Sequence, residues 1–236
     1  MFAGPNGSGK SELFHYLRKN RLIHTELYVS ADRIEKQLKE SGAFHFNAYR
    51  IQSDPQEFEK HVRNHGLWKE LGHTHTDEVV ILKAGILKVM KATLNSYIAS
   101  FVAAYLCSKL FASHQSFCFE TVMSHPSKLE MFEESRQSNY KNYLYYVYTT
   151  NPDLNIARIH ERARTGGHFV ADDKVRERFL RSLQNLPEAL RACDVTYIID
   201  NTESDFKIIA EKREGEVIWH HPESQAFWKA KGIHLK

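Results

Sequence analysis

Three cysteines in 236 residues are too few, and odd in number, for a disulfide framework. Cys107, Cys118 and Cys193 lie far apart with no C-x-x-C pair, so a cysteine zinc site is not indicated either. Two of them sit in apolar runs and read as small buried hydrophobes, which implies a reducing, cytoplasmic setting. No run is long enough to cross a bilayer. The longest stretch free of charge, Ala92 to Ser108, carries Asn95, Ser96 and Ser100 and reads as a buried helix, so no membrane association is expected. No secretory leader is visible, since the chain opens directly into a glycine-rich loop. Charge of one sign is also scarce: the net charge is +3, too small an excess to argue for nucleic acid. With no internal repeat and no low-complexity linker, one domain over 1–236 is expected, and 42% hydrophobic residues are enough for its core.

What is present is an alternation of strand-like and helix-like segments. The motif at Gly4–Ser11 follows only Met1, Phe2 and Ala3, and Glu12 to Lys19 reads as a helix. Strand-like runs follow at Glu26–Ser30, Ser116–Glu120, Tyr143–Thr149 and Val195–Asp200. Helical stretches are predicted at Arg33–Glu40, Ser124–Gln137, Asn155–Arg164 and Asp172–Leu190, and in two pieces over Glu78–Ala112 broken near Gly85 or Thr93–Asn95. Residues 42–112 thus read as a helical insertion, of which 42–78 are the least legible. Lys207 to His220 reads as a hairpin turning at Arg213-Glu214-Gly215. The fold class expected is α/β: a mostly parallel sheet flanked by helices, with a C-terminal hairpin.

Gly4-Pro5-Asn6-Gly7-Ser8-Gly9-Lys10-Ser11 fits GxxxxGK[ST] in full. Its glycines let backbone N–H groups curl around a phosphate, and the helix that follows adds the positive end of its dipole. Lys10 supplies an ammonium to the β- and γ-phosphates, and the Ser11 hydroxyl is placed to ligate Mg²⁺. The pattern points to ATP with Mg²⁺.

Such a loop does not by itself separate kinases, motor ATPases, GTPases and transporter ATPases. There is no LSGGQ-like segment and no NKxD. The hydrophobic strands end instead in Asp32, Glu120 and Asp200. In an open parallel sheet the ligand lies beyond the carboxyl ends of the strands. There one carboxylate could accept a hydroxyl proton while another holds the acceptor or a water on Mg²⁺. For Asp32 a plain helix cap is the competing reading. Arg158, Arg162 and Arg164 precede Thr165-Gly166-Gly167-His168, a set suited to a lid that stabilises charge on the γ-phosphoryl group. A solvated basic face competes with this, and Arg176, Arg178 and Arg181 compete for the role.

These residues resemble the zeta-toxin-like P-loop kinases. The matching pieces are Ala3–Ser11, Ser30-Ala31-Asp32, SFCFETVMSHPSKL (Ser116–Leu129) and NPDLNIARIHERARTGGHFV (Asn151–Val170). Further on are RFLRSLQNL (Arg178–Leu186) and IIDNT (Ile198–Thr202). The resemblance implies an ATP-dependent kinase whose acceptor is a small hydroxylated molecule, by analogy a UDP-N-acetyl sugar. It implies Asp32 as the base and Glu120 and Thr121 at the acceptor, with arginines of 158–164 at the γ-phosphate. A toxin role would add an antitoxin protein that covers the loop. Ala171, where this group usually has proline, and Thr202, where it usually has serine, depart from the pattern.

Other signals read plainly. His73, His75, His220 and His221 lack ligand partners at metal spacing and read as loop histidines. Tyr140, Tyr143, Tyr145, Tyr146 and Tyr148 read as a core strand with hydroxyls at its rim rather than a base-stacking platform. A nucleotide-binding regulator without catalysis is the alternative function.

Overall fold

The computed structural model describes residues 1–64, 79–82, 85–89, 96–167, 169–203 and 205–235. Along the chain the elements are β1 (Phe2–Ala3), α1 (Lys10–Lys19), β2 (Tyr28–Ser30), α2 (Ala31–Ser41), β3 (Ala43–His45) and α3 (Pro55–Asn64). Then come β4 (Val79–Leu82), β5 (Ile86–Val89), α4 (Ser96–Ala112), β6 (Cys118–Thr121), α5 (Ser127–Gln137) and β7 (Tyr143–Tyr148). The last are α6 (Pro152–Arg164), α7 (Asp172–Ala192), β8 (Val195–Asp200), β9 (Lys207–Arg213), β10 (Glu216–Trp219) and α8 (Gln225–Ala230). They fall into two compact units, Met1–His24 with Glu120–Lys236, and Thr25–Phe119.

The first unit is built on strands in the order β10-β9-β8-β7-β1-β6. The two residues of β1 lie at the centre: Phe2 and Ala3 pair in parallel with Glu120 and Thr121 on one side and with Tyr145 and Tyr146 on the other. β7 and β8 run parallel from Tyr143↔Val195 to Tyr148↔Asp200, and both are rich in the β-branched and aromatic residues that fill a sheet. The hairpin is antiparallel, with its turn at Glu214-Gly215 as the sequence predicts.

One face of this sheet carries the main core. Leu144, Tyr146, Tyr148 and Ile198 pack with Phe132 of α5, Phe179, Leu183, Leu186 and Leu190 of α7, and Trp228 of α8. Tyr146 and Tyr148 are thus core residues, while Tyr143 is 42% exposed. On the other face Phe14 of α1 meets Phe2 edge-on, and Phe2, Tyr145 and Tyr197 stack across neighbouring strands. Buried Lys212 closes the end of α7 by donating to the carbonyls of Leu190 at 2.5 Å and Cys193 at 2.9 Å, groups a helix terminus leaves without partners.

In the second unit β2 lies beside the start of β6, where the Cys118 N–H donates to the Leu27 carbonyl at 2.7 Å. A three-stranded antiparallel sheet, β3-β5-β4, stands here with α3 and α4. Among the described residues of Glu78–Ala112 the predicted helix is found over Ser96–Ala112. Val79–Leu82 and Ile86–Val89 pair as strands around Gly85, whose φ of +78° suits a tight turn rather than a helix. Their β-branched content decides in favour of strand. The described residues between 42 and 112 thus carry α3 and α4 as helices and β3–β5 as strands. Phe46, Phe58 and Tyr105 meet edge to face at the core of this unit. Among the described residues no helix is long and apolar enough to cross a membrane.

Candidate functional site

The Gly4–Ser11 loop leaves the carboxyl end of β1 and runs into the first turn of α1. Its conformation requires glycine where the chain turns most sharply. Gly4 has φ +139°, and a Cβ there would lie 1.9 Å from the Val147 carbonyl oxygen. Gly9 has φ +95° and caps the N-terminus of α1. A Cβ at Gly9 would lie 2.3 Å from Asn201 Nδ2. Lys10 is only 6% exposed, and its ammonium donates to the Pro5 carbonyl at 2.9 Å, folding the side chain back over the loop. Ser8 Oγ is buried with no hydrogen-bond partner. A triphosphate and its cation fit these residues.

Ser11 is exposed, and its hydroxyl donates to Glu120 Oε2 at 2.7 Å. The β1–β6 register brings this about: Glu120 pairs with Phe2, so its carboxylate stands beside the end of the loop. A hydroxyl and a carboxylate one hydrogen bond apart are hard oxygen donors of the type Mg²⁺ prefers. Thr121, next in the strand, is buried, and its hydroxyl oxygen accepts the Met123 N–H at 3.0 Å. The turn that follows is held from α7. Ser182 Oγ donates to the Val122 carbonyl at 2.6 Å and Asn185 Nδ2 to the Met123 carbonyl at 2.9 Å.

Asp32 belongs to the other unit. It stands in the first turn of α2, half-buried, and Ser30 rather than Asp32 takes the cap position.

The predicted arginines separate by their partners. Arg164 is exposed and paired with Glu161 at 2.9 Å. Arg162 is exposed, and its stem lies against Gly167, where a Cβ would sit 2.5 Å from Arg162 Cγ. Arg158 is half-buried, and its Nη1 is enclosed with no hydrogen-bond partner. Of the competing arginines on α7, Arg176 pairs with Asp153 at 2.5 Å and Arg181 with Glu177, while Arg178 is half-buried. His160 and Asp172 join α6 to the start of α7 at 2.7 Å. His220 and His221 stand beside Glu211 and Glu223 at the surface. His73, His75 and His168 lie outside the described residues.

Two residues that the loop motif does not reveal, Asn155 and Asn201, lie against the loop backbone. Their signal in the sequence was membership of the segments NPDLN and IIDNT.

A phosphate-binding loop between a central parallel strand and a helix, in a mostly parallel sheet flanked by helices, defines the P-loop nucleotide-binding class. The zeta toxin family profile matches residues 88–223, and the chain belongs to the zeta toxin family. An uncharacterized protein from Haemophilus influenzae is 30% identical over 66 residues, which cover 28% of this chain and 47% of that protein. Among solved structures the fold is similar to a crystal structure of AvrRxo1-ORF1:-ORF2 with ATP, at a TM-score of 0.62 and 14% identity. That match covers 100% of this chain and 64% of the other. A crystal structure of AvrRxo1-ORF1:AvrRxo1-ORF2 with sulphate ions gives 0.61 and 12%, covering 100% and 65%. The chain thus spans about half the length of the curated relative and less than two thirds of these solved chains.

Proposed function

We propose that this protein is a kinase that binds ATP with Mg²⁺ on Gly4–Ser11 and transfers the γ-phosphoryl group to a hydroxyl of a small molecule. The observation that carries the reading is the Ser11–Glu120 hydrogen bond, which puts two hard oxygen donors side by side at the end of the loop. Membership of the zeta toxin family and likeness to a fold crystallised with ATP support it.

The loop N–H groups and the Lys10 ammonium hold the phosphate chain. Ser11 and Glu120 would hold Mg²⁺, which neutralises charge on the phosphate oxygens when bound. Arg158 is the arginine best suited to the γ-phosphoryl group. Its enclosed Nη1 lacks the partner that Arg164 already has, so binding an anion costs it no existing ion pair. Asp32 accepts the proton of the attacking hydroxyl, and Thr121 together with Glu120 borders the acceptor. A UDP-N-acetyl sugar is the acceptor to try first, residues 1–236 act as one functional domain, and a protein partner covers the loop.

The test is incubation with γ-labelled ATP, Mg²⁺, a panel of UDP-sugars and a metabolite extract, followed by mass spectrometry. A labelled acceptor, lost in Asp32→Asn, is expected. Nucleotide binding without transfer, unaltered by Asp32→Asn, would instead mark a regulator that has no catalytic step.

A further inference from the structure

A loop that turns its N–H groups inward onto phosphate must turn carbonyl groups outward. Carbonyls shut away from water need donors of their own, because an unpaired buried carbonyl is costly. Two asparagines supply them. Asn155 Nδ2 donates to the Asn6 carbonyl at 2.6 Å, and Asn201 Nδ2 donates to the Ser8 carbonyl at 2.8 Å. Both are buried, Asn155 completely and Asn201 at 5% exposure.

Each asparagine is itself fixed. The hydroxyl of fully buried Thr149 donates to Asn155 Oδ1, and the Asn6 carbonyl, which can only accept, fixes Nδ2 as the atom that faces the loop. Asn155 also lies in the first turn of α6, started by the Asn151 cap and Pro152. Asn201 follows β8 directly, and its backbone N–H donates to the Tyr148 carbonyl at 2.8 Å. Both braces also stand where the loop has no side chain: a Cβ at Gly7 would lie 2.6 Å from the Asn155 carbonyl oxygen, and one at Gly9 2.3 Å from Asn201 Nδ2.

We infer that Asn155 and Asn201 are positioning residues of the phosphate site: they grip alternate carbonyls of the loop and so hold its N–H groups towards the triphosphate before it arrives. The inference rests on the reading of Gly4–Ser11 as a triphosphate cradle. It gives two of the loop's glycines a second task, that of admitting the braces.

The experiment uses calorimetric titration of ATP and of inorganic tripolyphosphate, each with Mg²⁺, into the full chain. Asn155→Asp and Asn201→Asp keep the side-chain size and replace the donor by an acceptor, while Asn155→Ala and Asn201→Ala remove the donor without adding charge. Each folded variant is expected to bind both ligands about tenfold more weakly or worse, by the same factor for each, because the loss lies in the phosphate cradle. Wild-type affinity in any folded variant, or a loss confined to ATP, overturns the inference. Failure of the unmodified chain to bind either ligand overturns the nucleotide reading instead. If the variants do not fold, the unmodified protein still decides. Its two side-chain amides should resist hydrogen exchange and shift in nitrogen-15 spectra as tripolyphosphate is added, and fast exchange or unmoved signals would refute the role.

Discussion

Replacing Gly9 by alanine adds a single methyl group at the start of α1. Gly9 has φ +95°, and an L-residue held in that left-handed region costs about 1–2 kcal/mol. The new Cβ would lie 2.3 Å from Asn201 Nδ2, well inside contact distance, so the asparagine must withdraw. It cannot do so freely, because that nitrogen holds the Ser8 carbonyl at 2.8 Å and the side chain is buried. Losing this bond and stranding the carbonyl costs a further ~1–3 kcal/mol. The total, about 2–5 kcal/mol, corresponds to a fall in Tm of roughly 4–20 °C for a chain of this size. Scanning calorimetry reads the Tm, and titration with ATP should show affinity falling with it. Gly9→Ala with an unchanged Tm and unchanged ATP affinity would refute both the strain and the bracing argument.

Lys10→Ala should weaken ATP binding by about a hundredfold or more, since charge-assisted bonds to phosphate contribute ~1.5–3 kcal/mol each. Calorimetry checks it, with circular dichroism matching the unmodified chain. Arg158→Lys should lower phosphoryl-transfer turnover at least about tenfold, while Arg164→Ala, which removes only the exposed pair with Glu161, should leave it within about twofold. Steady-state kinetics of the two variants compares them directly. His61 is held below its usual pKa by burial, against the opposing charge of Glu57. Its neutral form is therefore favoured in the fold, and its contribution to stability is fully present above the unfolded pKa of about 6.5. That contribution falls as pH drops through the window between the unfolded and the depressed folded value. Urea unfolding at successive pH values should show this acid limb, and His61→Phe should flatten it.

The loop was legible because its chemistry is local: four constrained positions fix the turn, the charge and the hydroxyl within eight residues. Strand β8 and the β9–β10 hairpin were legible for the same reason, from β-branched runs and a Glu214-Gly215 turn. Pairing could not be read in the same way. Val79–Leu82 falls within the helical period of Glu78–Ala112, yet it pairs with Ile86–Val89 as a strand, in keeping with its β-branched residues. Arg158, Arg162 and Arg164 are alike in sequence; only the position of Glu161, the packing at Gly167 and the enclosure of Arg158 separate them. Asn155 and Asn201 lie far from the loop in sequence, and the need they meet belongs to carbonyls that the motif does not describe. A two-residue central strand gives almost no periodicity, yet its register alone sets Glu120 beside Ser11.

The three cysteines have a practical consequence. All are buried and none is in a disulfide: Cys107 and Cys118 lie in the Thr25–Phe119 unit, Cys193 in the other. Burial pushes the Cys118 thiol up and that of Cys193 to about 12, so in the closed molecule alkylating reagents meet little thiolate. Alkylation followed by peptide mapping would therefore time the opening of each half of the molecule separately, using probes the chain already carries.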